Sequence, residues 1–289
     1  MQRQSQKQGV VAALAAFFLW GILPAYWKQF GFLQADLIVA QRTLWSMLAL
    51  YLLTMWRHEG RELLGVLLQP KLAAWCLVSG LLLAGNWLIY VWATLNNHVL
   101  EAALGYYLNP FFNMAFGAWW FGDRHSRGQQ AAILLAFGGV LLQVTAIAGV
   151  PWVAIVLGCT FSLYAVVKKC APLPSQTSLT AETVLLAPLA LIWLTFQSHS
   201  GASIFGRNWI DALWIASTGF ATTLPLLCFG HAARNIRLST LGILQFLAPS
   251  LQFLLGWLLY HEPMSPTRLA SFACIWLAVT LYGWEMKKS

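Results

Sequence analysis

The chain has 289 residues, of which 59% are hydrophobic and only 9% charged, whereas soluble domains carry roughly a quarter charged. Nine acids and seventeen bases cannot cover the outside of a water-soluble core of this size, so lipid has to cover it. The net charge of +8 comes from bases scattered in ones and twos between apolar runs, which speaks against nucleic acid and for orientation signals.

A hydrocarbon core about 30 Å thick is crossed by about 20 apolar residues in a helix. Cutting the chain at charged and turn residues gives ten such runs, near 9–29, 35–56, 72–95, 100–121, 129–147, 150–167, 178–197, 209–232, 239–260 and 267–285. The first follows a basic start with no small-x-small cleavage site, so it reads as a retained helix rather than a signal peptide. The longest connections are those around Arg57–Lys71 and Ser198–Asn208. Alternate connections differ in charge. One side collects Arg57, Arg61, Lys71, Arg124, Arg127, Lys168, Lys169, Arg234 and Arg237 with the basic ends of the chain, the other Lys28, Arg207 and Arg268. Cytoplasmic loops retain positive charge, so both termini are expected in the cytoplasm of a bacterial inner membrane. Lys28 and the pair Lys168-Lys169 end corresponding helices and read as snorkelling anchors.

Sliding the chain against itself by 139 positions aligns Trp75 with Trp214, Gly80 with Gly219, Ala93 with Ala232 and Asn96 with Asn235. The register continues through Pro110 with Pro249, Gly117 with Gly256 and Asp123 with Glu262. These pairs run without insertion from the third span to the end of the fourth, the pattern of an internal repeat. The expected fold is therefore all-α and integral to the membrane, with ten transmembrane helices in two five-helix repeats, 1–147 and 148–289. An odd number of spans per half inverts the second half. The loop charges agree, because 96–101 has no Lys or Arg while 235–240 contains Arg237. Inverted halves that rock about a midplane site are a construction of secondary transporters.

The chain also resembles a known family. Leu19-Trp20-Gly21 with Pro24 and Lys28, Arg42 with Trp45-Ser46, Gly85-Asn86-Trp87-Leu88, Leu100-Glu101-Ala102, Leu104-Gly105-Tyr106 and Asn109-Pro110 carry the resemblance in the first half. Thr222-Thr223-Leu224-Pro225 and Arg237-Leu238-Ser239-Thr240-Leu241-Gly242 carry it in the second. They are similar to RarD-like members of the EamA branch of the drug/metabolite transporter superfamily. That resemblance implies a ten-helix inner-membrane carrier with poorly defined substrates and a chloramphenicol-sensitivity label.

Ala102, Tyr106, Asn109, Asn113 and Gly117 share one arc of the fourth span, and Gln245 and Gln252 occupy the positions equivalent to Tyr106 and Asn113. Amides costly against lipid belong in a wet cavity or between helices. Asn86, Trp87, Tyr106, Asn109, Asn113, Thr222, Thr223, Gln245 and Gln252 are thus the expected substrate-binding residues. Pro24, Pro110, Pro225 and Pro249 fall inside spans and break helices there. Arg42, Glu101 and Glu182 are intramembrane or span-end charges that need a partner, a ligand or water. Arg42 suits a carboxylate in bidentate fashion, or an ion pair with Glu101 that closes the outer side. Glu182 and Glu101 are placed to exchange protons.

Cys76, Cys159, Cys170, Cys228 and Cys274 show no metal or redox spacing, and neither cofactor nor metal is expected. No HExxH or paired-aspartate motif suggests an intramembrane enzyme. The expected activity is movement of a small organic metabolite, amino-acid-like or amphiphilic and drug-like, by alternating access. Protons or a counter-substrate are possible coupling partners. A channel-like facilitator or uniporter without ion coupling is the alternative.

Overall fold

The computed structural model describes residues 2–27, 30, 33–95, 99–144, 152–199, 205–206, 208–255, 258 and 266–288. Among these the chain forms twelve α-helices: α1 Gln2–Trp27, α2 Ala35–Trp56, α3 Gly60–Leu68, α4 Pro70–Leu95, α5 Val99–Phe121 and α6 Arg127–Val144, then α7 Trp152–Cys170, α8 Ser175–His199, α9 Trp209–Asn235, α10 Leu238–Gln245, α11 Leu247–Leu254 and α12 Pro266–Lys288. Helix is what lipid demands, since each backbone N–H and C=O must find a partner inside its own segment. Among the described residues six helices, α1, α2, α4, α7, α8 and α9, are both long and apolar enough to cross a bilayer, and α6 and α12 carry shorter apolar stretches. Phe18, Leu52, Trp119, Leu134, Ile192, Phe220 and Leu277 all stand at least half exposed. So much outward-facing apolar surface requires hydrocarbon around it, and the chain is a multi-pass membrane protein.

Two features depart from the runs read in the sequence. The connection 57–71 contains α3, which buries Leu63 and Val66 against Cys76, Leu173 and Ala181 while Arg61 and Glu62 stay exposed. Its entry turns on His58 in the left-handed region, φ 58°. The ninth run is split at Phe246 into α10 and α11, three residues before Pro249. Proline has no N–H for the Gln245 carbonyl and its ring crowds that oxygen; the preceding turn tightens, with Phe246 N donating to Ile243 O at 3.4 Å. Pro110, Pro188 and Pro225 are instead absorbed within continuous helices.

The helix starts recur with the sequence repeat. Pro70 and Trp209, Val99 and Leu238, and Arg127 and Pro266 open α4 and α9, α5 and α10, and α6 and α12, each pair 139 positions apart. Three pairs of helices at about this spacing, α2 with α8, α5 with α10 and α6 with α12, also pack on one another, and they do so antiparallel. Asp36 near the start of α2 accepts from Trp193 and Gln197 near the end of α8, while Thr54 at the end of α2 meets Thr180 near the start of α8. In the α6/α12 pair Ser126 reaches Glu285 and Ser271 donates to Gly139 O. In the α5/α10 pair Asn113 meets Gln245, and a Cβ on Gly117 would lie 2.9 Å from Ser239 Oγ.

The largest buried cluster joins α1, α7 and α9 through Phe17, Phe161, Tyr164 and Phe229, and a second joins α5, α6, α10 and α12 around Tyr107, Phe272 and Tyr282. Between them the helices leave a cavity.

Candidate substrate cavity

The cavity holds about 300 Å³ and is walled by α1, α2, α4, α5, α7, α9, α10 and α11. Its polar wall comes from Arg42, Asn86, Tyr90, Tyr106, Gln245 and Gln252, and its apolar wall chiefly from Phe17, Trp20, Trp87 and Phe161. The guanidinium carbon of Arg42 lies 3.6 Å from the centroid of the Trp87 ring, a separation at which the planar cation rests on the indole face. Tyr90 and Tyr106 meet edge to face, centroids 5.6 Å apart, within electrostatic reach of the same guanidinium.

The cavity amides are oriented by helices behind them. Asn86 Nδ2 donates to Leu157 O and Thr160 Oγ1, both at 2.8 Å, which ties α4 to α7. Asn113 Nδ2 donates to Gln245 Oε1 at 2.8 Å, and Gln252 Nε2 donates to Trp20 O at 3.2 Å. Those bonds occupy both N–H donors of Asn86 and one of Gln252 while leaving their carbonyl oxygens as acceptors. Pro110 and Pro249 deprive the Tyr106 and Gln245 carbonyls of their helical N–H partners. These are equivalent positions, and both residues line the cavity.

Five of the nine residues expected to bind substrate, Asn86, Trp87, Tyr106, Gln245 and Gln252, are brought to this one wall together with Arg42 and Pro249. Asn109 and Asn113 are fully buried just behind it. The carbonyl of Asn109 accepts from Ser162 at 3.1 Å, and Asn113 positions Gln245. Thr222 and Thr223 are buried on α9 outside the lining, their Oγ1 atoms without a hydrogen-bond partner among the described residues. The side chains of Glu101 and Pro24, and all of Lys28, lie outside what the structure describes.

Glu182 is buried and does not line the cavity. Its Oε1 pairs with Lys168 Nζ at 2.7 Å, with both side chains 2% exposed. Ser178 donates to the same Oε1 and Tyr164 to Oε2. The snorkelling expectation for Lys168 is therefore corrected: its ammonium also reaches Ser178 at 2.9 Å and is held inside the bundle. Lys169, half-buried, donates to the carbonyls of Ala233 and Ile236 that end α9. Tyr90, Phe161, Val39 and Ala248 are lining residues that sequence reasoning did not rank. Tyr90 alone had a usable signal, one helical turn beyond Asn86.

A helical bundle set in lipid and enclosing a cavity of small-molecule size defines a polytopic membrane protein with an internal ligand site. Residues 7–145 match the EamA-like transporter family. Protein RarD of Escherichia coli is 38% identical over 98% of this chain and 96% of its own length. An uncharacterized transporter of Pseudomonas aeruginosa is 40% identical over 100% and 97%, and the uncharacterized transporter YojE of Bacillus subtilis 36% over 100% and 97%. A solved crystal structure at 21% identity superposes with a TM-score of 0.75 over 96% of this chain and 97% of its own, a likeness of fold. The chain belongs to the RarD-like, EamA branch of the drug/metabolite transporters and is a membrane transporter of that type.

Proposed function

We propose that the chain is a secondary transporter of the bacterial inner membrane that carries a small organic metabolite through this cavity by alternating access. In this reading both termini are cytoplasmic, and residues 1–147 and 148–289 are five-span repeats of opposite topology. The observation that carries it is a cavity to which both proposed halves contribute, with Tyr106 of α5 and Gln245 of its antiparallel neighbour α10 lining it 139 positions apart. Such an arrangement lets the halves rock about a fixed site, so that each side of the membrane is reached in turn. At about 30 Å³ per water-sized volume the space suits a ligand of roughly ten non-hydrogen atoms. Intramembrane helix ends, buried amides and proline-released carbonyls supply the fixed polar groups, and the aromatic wall supplies contact area.

The test is a labelled-metabolite flux screen in proteoliposomes, with and without a pH gradient. Saturable flux that shows counterflow stimulation is expected, and Val39→Trp, which fills the cavity, is expected to abolish it in a protein that still melts cooperatively. Flux that never saturates would establish a channel-like facilitator instead. Unchanged flux in folded Val39→Trp and Gln245→Ala variants would remove this cavity from the pathway.

A further inference from the structure

We propose that Asp123 latches the side of the bundle opposite the cavity mouth, its carboxylate holding the end of α5 to the first turn of α10, and that this contact breaks when that side opens. The proposal rests on the alternating access proposed above, under which this is the cytoplasmic side, and adds the group that holds it shut.

The cavity lies toward one side of the bundle. Leu23 near the end of α1 and Ile38 in the first turn of α2 both line it and are partly exposed. Toward the other side α7, α9 and α10 contribute Phe161, Leu226 and Gln245, which stand about two helical turns or more from Cys170, Asn235 and Leu238. Roughly 10 Å of packed protein therefore separates the cavity from those helix ends. Phe116, Phe229, Leu238 and Leu241, all in the largest buried cluster, occupy that depth.

Beyond this apolar layer a polar one ties helices of the first proposed half to helices of the second. Gly122, at φ 65°, turns the chain at the end of α5 so that Asp123 N donates to Gly117 O at 3.0 Å. The carboxylate thereby faces α10, where Oδ2 accepts from Ser239 Oγ at 2.8 Å and from Ser239 N at 3.2 Å. A helix start leaves its first N–H groups without helical partners, and Arg237, the cap residue of α10, makes no side-chain cap. The acceptor comes instead from α5, and a carboxylate also suits the positive end of α10. Gly117 keeps the two helices close, since a Cβ there would stand 2.7 Å from Asp123 Oδ2. In the same layer Ser5 of α1 donates to Asn235 of α9, and the ammonium of Lys169 on α7 lies 5.4 Å from the centroid of Phe121 on α5.

These contacts have the properties that a latch needs. Hydrogen bonds that water can replace when the helices part have a modest net strength, so they close one side without making closure permanent. Further along the same two helices Tyr106 and Gln245 line the cavity. Separation of α5 from α10 at the Asp123 end is thus coupled, through the helices themselves, to the residues placed to touch a ligand.

The experiment uses the full chain in lipid nanodiscs and reads maleimide labelling peptide by peptide by mass spectrometry, so that the native cysteines stay in place. Ile38→Cys reports on the mouth, and Leu241→Cys, fully buried between Gln245 and Ser239, on the closed side. With Asp123 intact, position 38 is expected to react readily and position 241 slowly. Asp123→Ala is expected to raise the labelling rate at 241 about 10-fold, as befits the loss of hydrogen bonds to a charged acceptor. Asp123→Asn, which keeps an oxygen acceptor, is expected to raise it less. The increase is expected to vanish once a brief prior reaction has placed a bulky maleimide on Ile38→Cys, because a mouth propped open excludes opening of the opposite side. If Asp123→Ala does not fold, Ser239→Ala removes the shorter of the two bonds and serves in its place. An unchanged rate at 241 in these variants would overturn the proposal. So would an increase that survives the adduct at 38, which would mark loosened helix ends rather than a gate. Failure of the underlying reading looks different: both positions would then react at comparable rates with Asp123 intact, the signature of a continuous pore.

Discussion

Replacing Glu182 by Gln tests how much of this bundle depends on one buried ion pair. Lys168 and Glu182 are each 2% exposed, 2.7 Å apart, and share Ser178 as a common hydrogen-bond partner. Solvent screening is absent there, so removing the acid leaves an ammonium with a neutral amide oxygen and no counter-charge. Breaking such a pair from one side costs about 3–5 kcal/mol, against about 0–1 kcal/mol for a surface pair. Converted through the entropy of unfolding, this is a fall of on the order of 10 °C in Tm in detergent. Lys168→Met alone should cost a similar amount by stranding Glu182, which keeps Ser178 and Tyr164 but loses its cation. The double variant Lys168→Met, Glu182→Gln removes both charges, fills the lysine channel with an unbranched chain and preserves the hydrogen bond from Tyr164. It should recover most of the loss, because a neutral replacement of a buried pair is often close to isoenergetic. Cooperative melting of the four proteins completes a double-mutant cycle. Single variants that melt within 1–2 °C of the parent, or a double variant that loses the sum of both, would show that the pair is not closed in the folded protein.

Gly219 lets α9 approach α2, for a Cβ there would lie 2.5 Å from the carbonyl oxygen of Trp45, a backbone atom that cannot turn aside. Gly219→Ala should therefore cost about 1–3 kcal/mol in a thermal melt, whereas Gly85→Ala, with nothing within 4 Å, should be neutral or slightly stabilising. His125, in the connection between α5 and α6, has its pKa lowered by burial, with Arg237 acting in the same direction and Asp123 opposing. Its neutral form is thus favoured by folding, so its contribution is intact above the unfolded value of about 6.5 and is lost as pH falls through the folded pKa. Melting temperatures should accordingly fall more steeply below about pH 6.5 in the parent than in His125→Gln. Single cysteines placed in 96–101 and in 235–240 should react with an impermeant maleimide from opposite faces of the membrane. Reaction from the same face would contradict inverted halves.

Much of the fold was legible because its determinants are local or periodic. Apolar runs of membrane-crossing length give the helices, and the spacing of 139 that aligns Pro110 with Pro249 also separates the first residues of α5 and α10. What escaped depends on contacts remote in sequence. Leu63 and Val66 make α3 a helix because they find Leu173 and Ala181 more than a hundred positions away. Nothing near Lys168 announces that it turns inward, since its partners Ser178 and Glu182 lie beyond a turn and on the next helix. Helical phase placed Tyr106, Asn109 and Asn113 on one arc, yet that arc is wide enough to touch both the cavity and the α5/α10 contact, where Asn113 sits against Gln245. Phase cannot divide such an arc between a ligand and a neighbouring helix. Aromatic lining residues such as Phe161 were equally invisible, because the same residue type fills cores and lipid contacts throughout the chain.

The two proposed halves differ in charge, and under the proposed mechanism that difference has a consequence. Arg42 in α2 and Glu182 in α8 stand 140 positions apart, at nearly equivalent places on equivalent helices. Arg42 borders the cavity on the face of Trp87, whereas Glu182 is buried and neutralised by Lys168. Under the proposed inversion, a rocking motion that opens the opposite side replaces first-half lining residues by their second-half equivalents. The mouth that now presents a cation would then give way to one bordered by the compensated Lys168–Glu182 pair. A ligand would meet the Arg42 guanidinium on its Trp87 face in one conformer and the buried Lys168–Glu182 pair in the other, so its affinity would differ between the two states. A carrier whose ligand binds its two states unequally shifts the balance between them by that same difference in free energy. Under that proposal the balance between the two facing states would depend on Arg42 and Glu182 as well as on the shape of the cavity, while the gradients set the direction of net flux.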